Sequence, residues 1–258
     1  LRNDGIQLNV DFKDVNNPLT LLTSLILEHC KTSAPNDRIT IQSDIPIASG
    51  LGSGAAVSAA LGRAIAHALG QTIENEQLNN IVYEVEKIHH GTPSGIDNTV
   101  VVYEMPIYFR KQQPIQLLKC QSPIHLLVAD TGRSALTKES VGDVRQLFEE
   151  NKAGIQAIFD QITSLVDRAR VCLEHSNVNE IGKLMIENHE LLQRLTVSSP
   201  ELDKLVSVAM DAGAYGAKLS GGGRGGNMIA IVDELKSEKV QTALHQAGAV
   251  RVFSSIFV

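Results

Sequence analysis

The sequence lacks the features that mark membrane, secreted or nucleic-acid-binding proteins. No uninterrupted apolar run reaches the ~20 residues that a helix needs to span a bilayer. The opening segment Leu-Arg-Asn-Asp-Gly has neither the basic nor the apolar region of a signal peptide. The formal net charge is -6 and no Lys/Arg cluster is present, so nothing favours general attraction to nucleic acid or anionic lipid. We therefore predict a cytoplasmic protein with no nucleic-acid partner and no membrane partner.

Cysteine is also scarce. Cys30, Cys120 and Cys172 are scattered, odd in number and not paired at metal-ligand spacing, which argues against a disulfide framework or a zinc site. The 8 histidines form no HExxH pattern. With 258 residues, 43% of them hydrophobic, the chain can bury a full core in one large or two modest domains.

Apolar periodicity predicts alternating helices and strands, which is typical of an α+β fold with helices packed on one face of a sheet. The stretch between Pro114 and Pro123 is the expected domain boundary. Strands are predicted at 6–12, 38–45, 99–103, 124–129, 227–232 and 250–257. Helices are predicted at 18–31, from the glycine loop to 69, and at 74–90, 137–150, 152–175, 178–195, 200–212 and 234–247.

A glycine loop within residues 45–56 is the most informative segment. A strand-like run leads through Gly50, Gly52 and Gly54 into an alanine-rich helix. Glycines let the backbone approach a ligand, and the unpaired amides at a helix start favour an anion. Taken alone, the pattern fits an ordinary strand-to-helix turn about as well as a phosphate site.

Two carboxylates are candidates for chemistry. Asp97 lies in a Pro- and Gly-rich loop just before a predicted strand, where the common role of Asp is to form a turn. Glu86 lies on the preceding helix, where a solvated position is the ordinary interpretation. If the 91–96 loop folds back, both carboxylates face the glycine loop, one to hold Mg²⁺ and one to accept a hydroxyl proton. Ser53 would offer a hydroxyl to the same metal or to a phosphate oxygen.

A second glycine cluster, Gly221 to Gly226, is framed by Lys218-Leu-Ser220 and a predicted strand. Such a loop can bring backbone close to a ligand or to the other domain, although a flexible hairpin is the plainer interpretation. Two glycine loops and the Pro-Ser-Gly-Ile-Asp segment between them make coincidence much less plausible than for any one of them.

Together these segments resemble the GHMP kinase family, small-molecule kinases named after galactokinase, homoserine kinase, mevalonate kinase and phosphomevalonate kinase. GLGSGAA (50–56) resembles the family's central ATP loop, and KLSGGGRGG (218–226) resembles its C-terminal glycine motif. Glu86 with HGTPSGIDN (90–98) resembles the acidic pair of the mevalonate kinase branch. The similarity extends over essentially all 258 residues.

The resemblance implies an α+β, two-domain GHMP kinase fold. An N-terminal ATP-binding α/β domain would occupy 1–118, and a ferredoxin-like C-terminal domain 119–258, with ATP and substrate in the cleft between them. The implied reaction is ATP-dependent phosphorylation of the primary hydroxyl of mevalonate to 5-phosphomevalonate, with Mg²⁺. ATP and mevalonate are the implied partners, and a homodimer is left open.

The same resemblance assigns site residues by position. Asp97 matches the catalytic base, and Glu86 matches the Mg²⁺ ligand, with Ser53 as a second metal ligand. The matched ATP-binding positions are Ser43, Ala48, Ser49, Gly50, Leu51, Gly52, Ser53 and Gly54. The matched substrate or phosphate loop positions are His90, Thr92, Gly221, Gly222 and Gly223.

The sequence departs from the family pattern at three places. Gly54 replaces the second of two consecutive serines, so Ser53 or water must serve the metal. Gly223, Arg224 and Asn227 interrupt the last motif, and Arg224 either pairs with a phosphate or is a solvated loop residue. The family's first Pro-Gly-Lys motif and an initiating Met are not found, so we expect the chain to begin inside the N-terminal domain.

Two alternatives to mevalonate phosphorylation stay open. Another GHMP member would act on phosphomevalonate or a different small alcohol. A catalytically silent module would bind a nucleotide or an isoprenoid without turnover.

Overall fold

The computed structural model describes residues 14, 16–33, 39–43, 45, 51–90, 93–111, 113–133 and 137–257, apart from the side chains of His89, His90 and Phe257. The chain divides into two compact units, Leu1–Gln116 and Leu117–Val258. The predicted strand at 6–12 lies outside the described residues. The predicted strand at 38–45 is described at 39–43 and 45, where the backbone adopts no regular secondary structure.

The first unit is helical throughout most of its described length. Its helices are α1 (Pro18–His29), α2 (Ser53–Ala68), α3 (Asn75–His90) and α4 (Ile96–Tyr103). Their apolar faces meet in one core in which Leu22, Ile26, Leu78, Val82 and Val85 are fully buried. The periodicity of α1 and α3 predicted this core, since their buried positions recur at helical spacing.

Helices α2 and α3 pack closely and run in opposite directions. A side chain at Gly62 would approach Leu78 Cδ1 to 2.8 Å, so glycine allows the close approach of these two helices. The start of α2 lies beside the end of α3 through Gly54 and Glu86. The middle of α2 reaches the start of α3 through the hydrogen bond from Arg63 Nη2 to Asn75 Oδ1.

The predicted strand at 99–103 is wrong, because these residues belong to helix α4. The run Thr-Val-Val-Val favours a strand by intrinsic propensity. Gly95 adopts φ 90° just before the helix, and Thr99 Oγ1 donates to the Gly95 carbonyl at 2.6 Å. Packing of Val102 into the helical core then overrides the local preference.

The second unit alternates strands and helices. Before it, the short strands β1 (Ile107–Tyr108) and β2 (Gln116–Leu117) pair with each other. The order then runs β3 (Ile124–Asp130), α5 (Thr137–Glu150), α6 (Lys152–Glu174), α7 (Val178–Arg194), α8 (Pro200–Ala212), β4 (Gly216–Ser220), β5 (Asn227–Val232), α9 (Glu234–Gln246) and β6 (Arg251–Phe257).

Strands β3 to β6 form one sheet in the order β4-β5-β3-β6, and all neighbouring pairs are antiparallel. This order, with helical connections after β3 and β5, is the ferredoxin-like arrangement that the resemblance implies. In the register of β3 and β5, Leu127 lies opposite Ala230, and both belong to the larger core with α8 and α9. The opposite face buries Ile124 and Ile231 against α7, so apolar packing covers part of both faces rather than one.

Strand β4 was not predicted from the sequence. Its residues stand between a helix and a glycine cluster, and it begins at Gly216, where a side chain would come within 2.2 Å of the Gly182 carbonyl oxygen. Glycine at both positions lets α7 approach the edge of the sheet. This need for space is visible only once the two elements are brought together.

Candidate active site

The first turn of α2 has no described side chain hydrogen-bonded to its free amides. Gly52 precedes the helix with φ 66°, a left-handed conformation that glycine adopts without strain. Its carbonyl accepts the first helical hydrogen bond, from Ala56 N at 2.9 Å. Among the described residues no side chain caps this end. The amides of the first turn can therefore bind an anion, helped by the helix dipole.

Glu86 lies beside this helix start. A Cβ atom on Gly54 would be 3.0 Å from Glu86 Oε1, and the Glu86 residue is only 4% exposed. The antiparallel packing of α3 on α2 places the carboxylate there. If an anion binds at this turn, it and the buried carboxylate would repel each other, and a cation between them would offset that repulsion.

Asp97 lies beside the same helix start, toward Gly52. A Cβ atom on Gly52 would be 3.9 Å from Asp97 Cβ and 3.6 Å from Val101 Cγ2. Asp97 is in the first turn of α4 and is exposed, so its carboxylate is accessible. The structure therefore places both predicted carboxylates next to the start of α2, Glu86 near Gly54 and Asp97 near Gly52.

A polar network that the sequence did not reveal fixes the start of α4. Asn98 Nδ2 donates to Asn79 Oδ1 at 2.6 Å, and Asn79 Nδ2 donates to Thr99 Oγ1 at 3.3 Å. Asn98 and Thr99 are 3% and 2% exposed, so these hydrogen bonds are shielded from water. No sequence motif marks this network, because the contact between Asn98 and Asn79 forms only when residues 97 and 98 lie on a helix.

The other predicted ATP and substrate residues of this unit are less defined. Ser43 Oγ accepts a hydrogen bond from Ile45 N at 3.2 Å. Leu51 and Ser53 are half-buried at the loop-to-helix junction. His90 ends α3 without a described side chain. Four predicted positions lie outside the described residues: Ala48, Ser49, Gly50 and Thr92.

The predicted metal ion is compatible with this arrangement. Within the described part of the chain, no three or more His, Cys, Asp or Glu side chains are grouped to hold a metal ion by themselves. Mg²⁺ is commonly bound by one or two carboxylates together with substrate phosphates. The buried Glu86 carboxylate beside an anion-binding helix start fits that kind of site.

The second glycine loop, Gly221 to Gly226, is packed tightly within its own unit. A Cβ atom on Gly223 would lie 1.8 Å from the Val197 carbonyl oxygen, and one on Gly225 would lie 2.6 Å from the Arg133 carbonyl oxygen. The backbone is tied at the same places, because Arg224 N donates to Val197 O at 2.8 Å and Gly226 N donates to Arg133 O at 2.7 Å. The loop is therefore a braced turn between β4 and β5.

Arg224 is part of this bracing, which differs from both sequence-based interpretations. Its guanidinium pairs with Asp143 on α5, and its Nε donates to the Thr196 carbonyl at 3.1 Å. Arg224 itself adopts φ 57°. The side chain is thus committed to the fold rather than solvated or directed at a phosphate.

Lys218 and His189 approach the same loop from β4 and α7. Burial lowers the pKa of Lys218 to about 8, and its Nζ donates to Leu219 O at 2.8 Å. His189 is 5% exposed, and its Nδ1 accepts a hydrogen bond from Leu219 N at 3.2 Å. The ring proton is therefore on Nε2, which donates to Asp203 Oδ1 at 3.1 Å. Burial is the main cause of the lowered pKa of His189. Sequence reasoning missed this contact, since no motif marks His189.

The described helices include none that is long and apolar enough to cross a membrane. The ferredoxin-like unit and the glycine-opened helix flanked by two carboxylates are the features expected of a small-molecule phosphotransferase. Residues 20–104 match the family model described as GHMP kinases N terminal domain, and residues 169–250 match GHMP kinases C terminal. The chain belongs to the GHMP kinase family.

Relatives from two Thermococcus species support this assignment. The chain is 36% identical over 237 residues to the mevalonate kinase of Thermococcus onnurineus, covering 90% of this chain and 70% of that protein. It is 37% identical over the same length to the mevalonate kinase of Thermococcus gammatolerans, again with 90% and 70% coverage.

Solved structures of mevalonate kinases and of a galactokinase superpose on this chain. The crystal structure of L. major mevalonate kinase in complex with R-mevalonate superposes with a TM-score of 0.83 at 27% identity, covering 95% of this chain and 78% of that one. The Methanococcus jannaschii mevalonate kinase gives 0.82 at 25% identity, covering 97% and 81%. Lactococcus lactis galactokinase complexed with galactose, at 17% identity, 98% and 76% coverage and TM-score 0.68, shares the fold.

Proposed function

We propose that this chain transfers the γ-phosphoryl group of ATP to the primary hydroxyl of mevalonate, forming 5-phosphomevalonate and ADP. The observation that carries the proposal is the placement of Asp97 and Glu86 on either side of the first turn of α2. The identity to the two Thermococcus mevalonate kinases supports the choice of acceptor. We further propose that the enzyme acts in the cytoplasm.

The first turn of α2 holds the phosphates of ATP in this proposal. Its free amides and the positive end of the helix dipole attract the phosphate oxygens, and Gly52 keeps the approach unobstructed. Residues 48–54 would form the phosphate loop, and Ser43 would contact the nucleotide. Helix α4 then presents Asp97 next to the bound phosphates.

Asp97 acts as the general base. As the substrate oxygen bonds to the γ-phosphorus, its proton passes to the Asp97 carboxylate, and the bond from phosphorus to the ADP oxygen breaks. The exposed position of Asp97 lets a substrate hydroxyl reach it. Glu86 has a different role, because its carboxylate is buried and faces Gly54.

Mg²⁺ would be held by Glu86, with Ser53 or water as a further ligand, and would neutralise charge on the ATP phosphates. Gly54 offers no hydroxyl at the position where the family has serine. His90, Thr92 and the loop residues Gly221, Gly222 and Gly223 are proposed to lie on the substrate or phosphate side. The proposed role of that loop is supported by its rigidity, because hydrogen bonds to the Val197 and Arg133 carbonyls hold the turn.

The test is ADP release by purified chain with ATP and Mg²⁺ against a panel of R-mevalonate, phosphomevalonate and galactose. We expect turnover with mevalonate alone. The Asp97→Asn variant should bind ATP like the wild type but lose about 10²- to 10⁴-fold in turnover, because the amide keeps the shape and cannot accept the proton.

Other outcomes have definite meanings. Equal turnover by Asp97→Asn removes Asp97 from the mechanism. Preference for phosphomevalonate or galactose reassigns the acceptor within the family. ATP binding with no turnover on any acceptor identifies a silent nucleotide-binding protein, an outcome that Gly54 in place of serine would help to explain.

A further inference from the structure

Arg63, in the middle of α2, joins three helices through one guanidinium. Its Nη1 donates to Glu104 Oε1 at 2.8 Å, just after the end of α4. Its Nη2 donates to the Val102 carbonyl at 2.6 Å and to Asn75 Oδ1, at the start of α3, at 3.2 Å. Both terminal nitrogens of Arg63 thus donate hydrogen bonds. Nη2 caps the Val102 carbonyl, which has no helical partner because it lies in the last turn of α4.

Helix α4 depends on such contacts because it is short. It has 8 residues, and helices of this length are marginal without tertiary support. Val102 is buried in the core, but Ile96 and Val100 are 43% and 40% exposed, so apolar packing fixes only one face of the helix. Polar contacts also hold both ends, Asn79 at the start and Arg63 at the end.

The geometry makes α2 a common support for both ends of α4. At the start of α2, Gly52 faces Asp97 and Val101. Eleven residues later, roughly 16 Å along the helix axis, Arg63 binds the last turn of α4. Because Asp97 and Val102 belong to the same short helix, a shift at Val102 would be transmitted to Asp97.

We propose that Arg63 is a positioning residue for phosphoryl transfer, because it fixes where Asp97 lies along the start of α2. This inference rests on the proposed function, in which Asp97 is the base. A misplacement of about 1 Å in a reacting group can lower a rate by roughly 100-fold. Loss of the Arg63 contacts therefore affects turnover rather than nucleotide binding, since the first turn of α2 does not depend on them.

The experiment compares Arg63→Met and Arg63→Lys in the full chain. We expect Arg63→Met to lower kcat with mevalonate by about 10- to 100-fold, with KM for ATP within about twofold of wild type. Lysine keeps the charge but lacks the planar fork that reaches Glu104 and Val102 together, so a smaller loss in kcat is expected. Arg63→Lys also tests the idea if Arg63→Met fails to fold.

Arg168→Met is the matched control. Arg168 joins helices α6 and α7 in the other unit through Glu180 at 3.2 Å and Glu187 at 3.7 Å. Its loss removes a similar interhelical ion pair, and kcat should stay within about twofold of wild type, since surface pairs contribute little.

A double variant separates positioning from general weakening of the fold. In the Asp97→Asn background, Arg63→Met should cause no further loss in kcat, because Arg63 acts through Asp97. An additional 10-fold loss there, or an unchanged kcat in both single Arg63 variants, overturns the proposal. Full activity of Asp97→Asn alone is a different result, which removes the proposed base and leaves the contacts of Arg63 structural.

Discussion

The two glycine loops are similar in composition but differ in what the missing side chains make room for. At Gly52, an added Cβ would meet only ordinary contacts, 3.6 Å to Val101 and 3.9 Å to Asp97. At Gly223, an added Cβ would lie 1.8 Å from a backbone oxygen of Val197. Glycine at the first loop keeps an approach open beside a carboxylate, whereas glycine at the second lets two backbone segments of the protein touch.

This contrast shows that a glycine-rich motif alone does not identify a ligand loop. The first loop ends at an uncapped helix start with carboxylates on both sides, and the proposed phosphate-binding role rests on those neighbours. The second is enclosed by Val197, Arg133 and the Arg224 pair with Asp143. Packing requires glycine at Gly223 and Gly225 whether or not a ligand binds nearby, whereas an added Cβ at Gly221 or Gly226 would meet no atom within 4 Å.

The largest expected effect tests this difference directly through stability. Gly223→Ala should lower the free energy of unfolding by about 2 to 5 kcal/mol, because a left-handed φ of 74° adds to a clash with fixed backbone. Gly52→Ala should lower it by only about 1 kcal/mol, since φ of 66° is strained but no atom is displaced.

Urea unfolding followed by circular dichroism measures both variants. Gly142→Ala is the control, because this glycine lies in α5 with open space around it, and alanine there should stabilise slightly. Equal losses at Gly223 and Gly52 would show that the second loop can relax and that its packing is not what requires glycine.

Periodicity and glycine placement predicted much of this molecule, and contacts between distant residues account for the rest. The long helices α6 and α7 begin and end within one residue of the predicted bounds, because buried positions recur along them. Residues 99–103 of helix α4 were predicted as a strand, because packing against α2 and α3 decides the structure of this segment. At the candidate site, motifs predicted Gly52, Glu86 and Asp97, whereas no motif pointed to Arg63, because its partner Glu104 is 41 residues away.

Lys218, on the strand that enters the second loop, provides a pH test of that loop's buried character. The folded-state pKa of about 8 lies below the ordinary value of 10.5, so the folded state holds fewer protons between these values. The free energy of unfolding should therefore rise with pH from about 8 to 10.5 and be insensitive to this group below 8.

Lys218→Met removes both the titration and the desolvated charge. We expect the variant to be more stable than wild type at pH 7 by about 1 to 3 kcal/mol, with the advantage shrinking toward pH 10.5. Urea titrations at pH 7, 9 and about 10.5 measure the difference. A constant difference between the two proteins across this range would mean that Lys218 has an unshifted pKa and is not desolvated.

Glu86→Gln tests the chemical role of the first loop. The variant should need roughly 10-fold more Mg²⁺ for half-maximal turnover, because a hard cation loses a charged oxygen ligand. Glu84→Gln is the matched control, since Glu84 is on the same helix and pairs at the surface with Lys87 at 2.6 Å. If the two variants show the same Mg²⁺ titration, Glu86 has a structural role.

The smallest expected effect comes from restoring a hydroxyl at Gly54. Gly54→Ser should be tolerated, because the position is exposed in the first turn of α2 and the nearest atom to the new Cβ is the Glu86 carboxylate at 3.0 Å. That carboxylate must shift by a few tenths of an ångström, which a side-chain end can do. In the proposed site the hydroxyl would coordinate Mg²⁺ or donate a hydrogen bond to an ATP phosphate, so ATP affinity should rise about threefold in the presence of Mg²⁺.

Gly54→Ala separates the two consequences of that change, because alanine brings the same Cβ contact without the hydroxyl. Isothermal titration with ATP should give tighter binding for serine than for alanine, and the difference should vanish when Mg²⁺ is removed by chelation. A sharp loss of affinity in both variants would instead show that the Glu86 carboxylate cannot move. In that case the first loop, like the second, would require glycine for the packing of the protein itself, and the contrast between the two loops would not hold at Gly54.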